Sequence, residues 1–162
     1  KGSGWKTALG TIDLQGNIYR LRDYTYASHY HWKDERRLLI HADAGEGAAL
    51  YELTDLSQDY TVYPRDFFAR DIHCSYSPDR RFIIGDLYPD RDGFREILLY
   101  HVPSKRGISL GKVYFWPVSY DDIRCDLHVL WNNKGDAVSF DGTFEGVRGL
   151  YMLQLSDILK QF

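Results

Sequence analysis

Residues 72–86 read IHCSYSPDRRFIIGD, and the same pattern occurs twice more in the chain. Residues 28–43 read SHYHWKDERRLLIHAD, and residues 127–141 read LHVLWNNKGDAVSFD. Each copy holds a histidine (His29, His73, His128), an aromatic three residues on (Trp32, Tyr76, Trp131), a polar turn, an apolar run and a closing aspartate (Asp43, Asp86, Asp141). A glycine-containing loop follows each aspartate, then a further apolar run: AALYEL, EILLYHV or GLYMLQL. Short runs rich in β-branched and aromatic residues, bounded by turn residues, predict strands. SPDRR and NNKGD supply the Pro, Asp, Asn and Gly that tight turns require. Only the tail SDILKQF predicts a helical turn.

Repeats of about 40–50 residues with four strands each are the pattern of β-propeller blades. The predicted class is therefore all-β, a partial β-propeller domain over 1–162. Outer strands of one blade are expected at 4–24, and blades at about 26–66, 70–117 and 123–158. The first strands are expected near 27–32, 72–77 and 125–131, and the last blade lacks its outer strand. Three to four blades fall short of most closed propellers, which have about four to eight. The chain is thus expected to be the C-terminal part of a longer propeller. Missing N-terminal blades of the same protein, or a self-association partner, would cover the open blade faces. A small β-sandwich is the alternative fold.

Composition narrows the partners. A chain of 162 residues can bury a sizeable core. The net charge of −3 and pI of 6.1 give no basic face for nucleic acid. No apolar run reaches the roughly 18–20 residues of a membrane span. The chain begins at Lys1, and KGSGWK is not built like a signal peptide. The native start is read as missing, which leaves bacterial periplasmic, secreted and cytoplasmic locations open. Two cysteines make no disulfide framework, although Cys74 and Cys125 occupy neighbouring blade entrances where a bridge is open to them. With 13 Tyr, 8 Phe and 4 Trp, the composition suits β-structure, and any exposed rings suit stacking against sugars.

The repeat also places the polar groups. In a blade the first strand lines the central channel, so His29, His73 and His128 are expected near one mouth. The first two strands form a hairpin, which should set Asp86 beside His73 and Asp141 beside His128. A carboxylate on one ring nitrogen fixes a histidine tautomer for metal binding or proton transfer. Loops after those aspartates carry Tyr88, Arg91, Arg95 and Arg148 onto the same face, and Arg124 stands just before Cys125. His73, His128, Cys125 and His29 are the candidate ligands for a divalent metal, manganese or zinc. The opposing reading makes each His–Asp pair an architectural tether between strands. His31, His41 and His101 read as surface or strand histidines.

HCSYSPDRRFIIGDLYPD, RCDLHVLWNNKGDAVSFD and GVRGLYMLQLSD resemble the last blades of bacterial propellers of the TolB/WD40-like type. More narrowly, they are similar to propeller polysaccharide lyases of the oligogalacturonate-lyase-like and ulvan-lyase-like kinds. The resemblance spans most of residues 26–158. It implies a seven-bladed whole and, for oligogalacturonate lyases, a manganese held at the channel mouth by histidines and a glutamine. In that family two histidines stand in an H-x-H pattern. The matching strand here reads His128-Val129-Leu130, with no second histidine and no glutamine just before it. A variant site using Cys125 stays open, and the catalytic His and Tyr of ulvan-lyase-like relatives could lie on other blades.

The resemblance implies β-elimination on an acidic carbohydrate containing uronic acid. A metal or arginine neutralises the carboxylate, a base removes the adjacent proton, and an acid assists the leaving sugar. Arg124, with His73 and His128, would form the catalytic set, His73 or His128 acting as ligand or as base. Arg95, Arg148 and Tyr88 would contact substrate, because guanidinium grips carboxylate through two bonds. The competing expectation is a non-catalytic propeller module that binds glycan or protein.

Overall fold

The computed structural model describes residues 7–24, 26–43, 46–116 and 124–162. The expected boundaries at 4, 117 and 123 lie outside them, as do the first two residues of the AGEG loop. The chain divides into two compact units, Lys1–Asp71 and Ile72–Phe162. Strands and turns account for most of the described residues. None of the helices among them is long and apolar enough to cross a membrane.

In the first unit, β1 (Thr7–Ile12) and β2 (Ile18–Tyr24) make an antiparallel hairpin. Then β3 (Tyr26–Trp32), β4 (Arg37–Asp43), β5 (Ala48–Thr54) and β6 (Tyr60–Val62) form a four-stranded meander in chain order. The apolar run RLLIHAD becomes the central strand β4, buried along five consecutive residues. Both faces of that strand are covered, so its sequence shows no alternation. Leu38, Ile40 and Ala42 on one face pack with Ala49, Tyr51, Leu53 and Leu21 of the hairpin.

The second unit repeats the design. Strands β7 (Ile72–Tyr76), β8 (Phe82–Leu87), β9 (Phe94–His101) and β10 (Arg106–Tyr114) form a second four-stranded meander. Its central strand, FIIGDL, is buried at every residue. A Cβ at Gly85 would run into the carbonyl oxygen of His73, so only glycine lets β7 lie this close. A third sheet holds β11 (Leu130–Trp131), β12 (Ala137–Gly142) and β13 (Gly149–Gln154). It has three strands, as expected, and the tail folds into the short helix α1 (Ser156–Leu159). Phe82, Ile84, Ile97 and Leu99 of one sheet interlock with Val138 and Phe140 of the other and with Val129 and Leu155 that flank it. Each buried side chain of this kind contributes about 1.5–3 kcal/mol.

Two of the three expected first strands match β3 and β7 closely. The third shrinks to two residues, because residues 124–129 run as irregular chain before β11. His128, next to last in this stretch, has a φ of 44° in the left-handed region. His29 has a φ of 40° and occupies a bulge between Ser28 and Tyr30. His31, His41 and His101 all lie in strands, but His41 and His101 are buried rather than on the surface.

Candidate functional site

The site grows out of the β7–β8 hairpin. His73 lies directly opposite Asp86 in the antiparallel register, and its Nδ1 is 2.9 Å from Asp86 Oδ2. Asp86 is fully buried, and its other oxygen accepts the backbone N–H of Val129 at 3.1 Å. A buried carboxylate with both oxygens engaged is an acceptor, so His73 donates from Nδ1. That leaves Nε2 with its lone pair for a ligand.

His128 does not meet Asp141 as expected. The Asp141 carboxylate bonds Arg148 at 2.6 Å, while its backbone N–H bonds the Leu127 carbonyl at 2.8 Å. The left-handed backbone at His128 turns the exposed ring toward the neighbouring sheet instead. Its centroid stands 4.5 Å from that of His73, the two rings inclined at 63°.

Asp126, which the sequence reading passed over, completes the group. One ligand atom each from His73, Asp126 and His128 lies within 4.8 Å of the others. The sequence did carry a signal for it. Asp126 and His128 are two residues apart, and in extended chain such residues share a side. Two imidazoles and a carboxylate are a donor set that manganese, iron or zinc accepts.

Two guanidinium groups crowd the same carboxylate. Arg95 NH2 is 2.6 Å from Asp126 Oδ1, and Arg124 reaches Oδ2 through NH2 at 2.9 Å and Nε at 3.1 Å. Arg95 is wholly buried, whereas Arg124 is 46 % exposed. The Arg95–Asp126 approach is a close charge contact with poor hydrogen-bond alignment. None of the guanidinium nitrogens of Arg95 has a well-aligned acceptor among the described residues. Its charge lies over the rings of Phe115 at 4.7 Å and Tyr88 at 5.8 Å. Tyr88 also faces Arg124 at 5.3 Å and His73 at 5.3 Å, so one ring touches three of the polar groups.

Within the second unit, Cys125 and Arg148 are not among these three ligands. Cys125 is buried with Sγ 4.0 Å from the Asp126 carbonyl oxygen, and burial raises its thiol pKa, which opposes the thiolate a metal needs. No disulfide joins Cys74 to Cys125. Arg148 is exposed and held by Asp141. His29 belongs to the first unit, where Asp71 lies 3.6 Å from its Nε2 and 3.4 Å from Nδ1 of the buried His41. Burial lowers the pKa of His41, and Asp71 opposes that shift.

Solved structures carry the same arrangement of sheets. TolB from Acinetobacter baumannii superimposes over 93% of this chain with a TM-score of 0.72 at 15% identity. The fold is that of a TolB-like β-propeller. An oligogalacturonate lyase from Vibrio parahaemolyticus matches over 86% of the chain with a TM-score of 0.66 at 16% identity. A putative TolB from Agrobacterium tumefaciens matches over 91% with a TM-score of 0.66 at 13% identity. The chain spans 35%, 39% and 51% of those three structures respectively. No protein-family model and no curated protein matches the sequence.

Proposed function

We propose that this part of the propeller carries a site for an acidic carbohydrate and cleaves it by β-elimination beside a uronic acid carboxylate. The observation that carries the reading is the gathering of His73, Asp126 and His128 with Arg95 and Arg124 at one end of the sheets. Such a group can bind a divalent cation and a carboxylate side by side. The fold shared with an oligogalacturonate lyase supports the same reading by analogy.

In this reading His73 and Asp126, with or without His128, would hold manganese or zinc. The cation, when bound, would draw charge from the uronate and make the neighbouring proton acidic. Arg124, half exposed beside Tyr88, grips the uronate carboxylate. His128 is exposed, and as a neutral imidazole it takes the proton next to the carboxylate. The electron pair forms the new carbon–carbon double bond, the glycosidic carbon–oxygen bond breaks, and the leaving oxygen is protonated. His128 serves either as ligand or as base, never both in one turnover. Phe94, Tyr114 and Trp116 form a chain of rings with centroids 5.4 and 5.6 Å apart at the β9–β10 end of the sheet. Phe94 and Trp116 are exposed and offer faces for flanking sugar rings.

The test uses the full protein with polygalacturonate and other uronate polymers, following the ultraviolet absorbance of unsaturated uronate. Product formation that falls at least a hundredfold in Arg124→Ala is expected. Absence of absorbance on every uronate polymer, with metal bound, refutes the lyase reading. In that case the closed Asp126–arginine contacts favour a non-catalytic module that binds glycan or protein.

A further inference from the structure

We infer that Asp126 is a latch between the two halves of the site, so that cation and anion bind with positive coupling. The inference rests on the reading just given and adds the rule by which the halves communicate. Asp126 has two carboxylate oxygens, and both are taken by guanidinium: Oδ1 by Arg95, Oδ2 by Arg124. The same side chain is the carboxylate member of the His73–His128 group. It cannot serve Arg124 and a cation fully at once.

The edge of Arg124 matters here. Asp126 occupies both Nε and NH2, the fork that would otherwise take a substrate carboxylate through two parallel bonds. The side chain that completes the cation group therefore also blocks the anion group. Arg95 anchors the latch: it is buried beneath the site and keeps Asp126 Oδ1 while Oδ2 changes partner. Its poor alignment with Asp126 leaves that carboxylate room to turn.

Charge points the same way. Among the described residues of the site, Arg95, Arg124, Asp86 and Asp126 sum to zero when the imidazoles are neutral. A divalent cation alone would leave the buried group strongly positive, and a uronate alone would have to displace Asp126 from Arg124. Together, Oδ2 moves to the cation, Arg124 turns its fork to the uronate, and each ligand lowers the cost of the other. By linkage the coupling is equal in both directions.

Calorimetric titration of the full protein with manganese chloride and with trigalacturonate, separately and together, tests this. Each ligand is expected to bind about tenfold tighter when the other is saturating. Direct contact between cation and anion could also couple them, so Arg124→Ala is decisive. Its half-exposed side chain can be removed without opening the core. With Asp126 freed, the variant is expected to bind manganese about tenfold tighter than wild type when no anion is present. Equal manganese affinity in wild type and Arg124→Ala overturns the latch and leaves the metal site standing. A wild-type protein that takes up no manganese overturns the latch and the metal reading together.

Discussion

The hairpins β7–β8 and β11–β12 carry the same residue pattern, with a histidine and an aspartate 13 residues apart, yet they solve different problems. In the first, His73 stays in regular strand and faces a buried Asp86 across the ladder. In the second, His128 leaves the strand, and Asp141 is satisfied by a surface arginine. One pair is a buried strut, and the other has been taken apart so that its histidine can lean on the strut. Equal spacing sets what residues can meet, but backbone conformation decides whether they do.

The sharpest break between the hairpins is in stability. Asp86→Ala strands the Val129 N–H and the His73 Nδ1–H in buried surroundings and is expected to lower unfolding free energy by about 3 kcal/mol. Asp141→Ala removes an ion pair with a 61 % exposed arginine and should change it by less than about 1 kcal/mol. Urea titration of both variants checks the contrast, and similar losses would erase it.

A smaller difference concerns the ring tautomer. Asp86→Asn keeps the shape but presents an amide to His73, which favours a proton on Nε2 instead of a lone pair. Manganese affinity is expected to fall about 10–100-fold in that variant. Asp141→Asn should leave it unchanged, as calorimetry would show.

The smallest effect is also the most specific, because its sign reverses. At position 128 the left-handed backbone favours glycine, so His128→Gly should be more stable than His128→Ala by about 1 kcal/mol. At position 73, in extended strand, the alanine variant should be the more stable by about 0.5–1 kcal/mol. The same order at both positions in thermal melts would mean that the two backbones do not differ as described.

Much of the fold was legible because the repeat writes its strands in sequence: FIIGDL and RLLIHAD are continuous apolar runs, and both became central strands buried on two faces. His73 and Asp86 were legible for the same reason, since a regular hairpin turns spacing into opposition. His128 was not. Nothing in LHVLWNN marks the left-handed turn of one residue, although His29 at the matching place of the first copy takes it too. Asp126 escaped because the repeat does not keep an acid at that place: Ala27 stands two residues before His29, and Asp71 two before His73. Asp71 does sit two before His73, but it turns to the first unit, beside Ser28 and His41.

The bond from Asp86 to the Val129 amide has a consequence on the time axis. Residues 124–129 lie outside the regular strands, and such chain normally opens within the shortest-lived fluctuations and trades its amide protons quickly. Val129 is the exception, since its N–H is released only when Asp86 itself leaves the core of the preceding sheet. Its deuterium uptake will then follow the slow clock of β8.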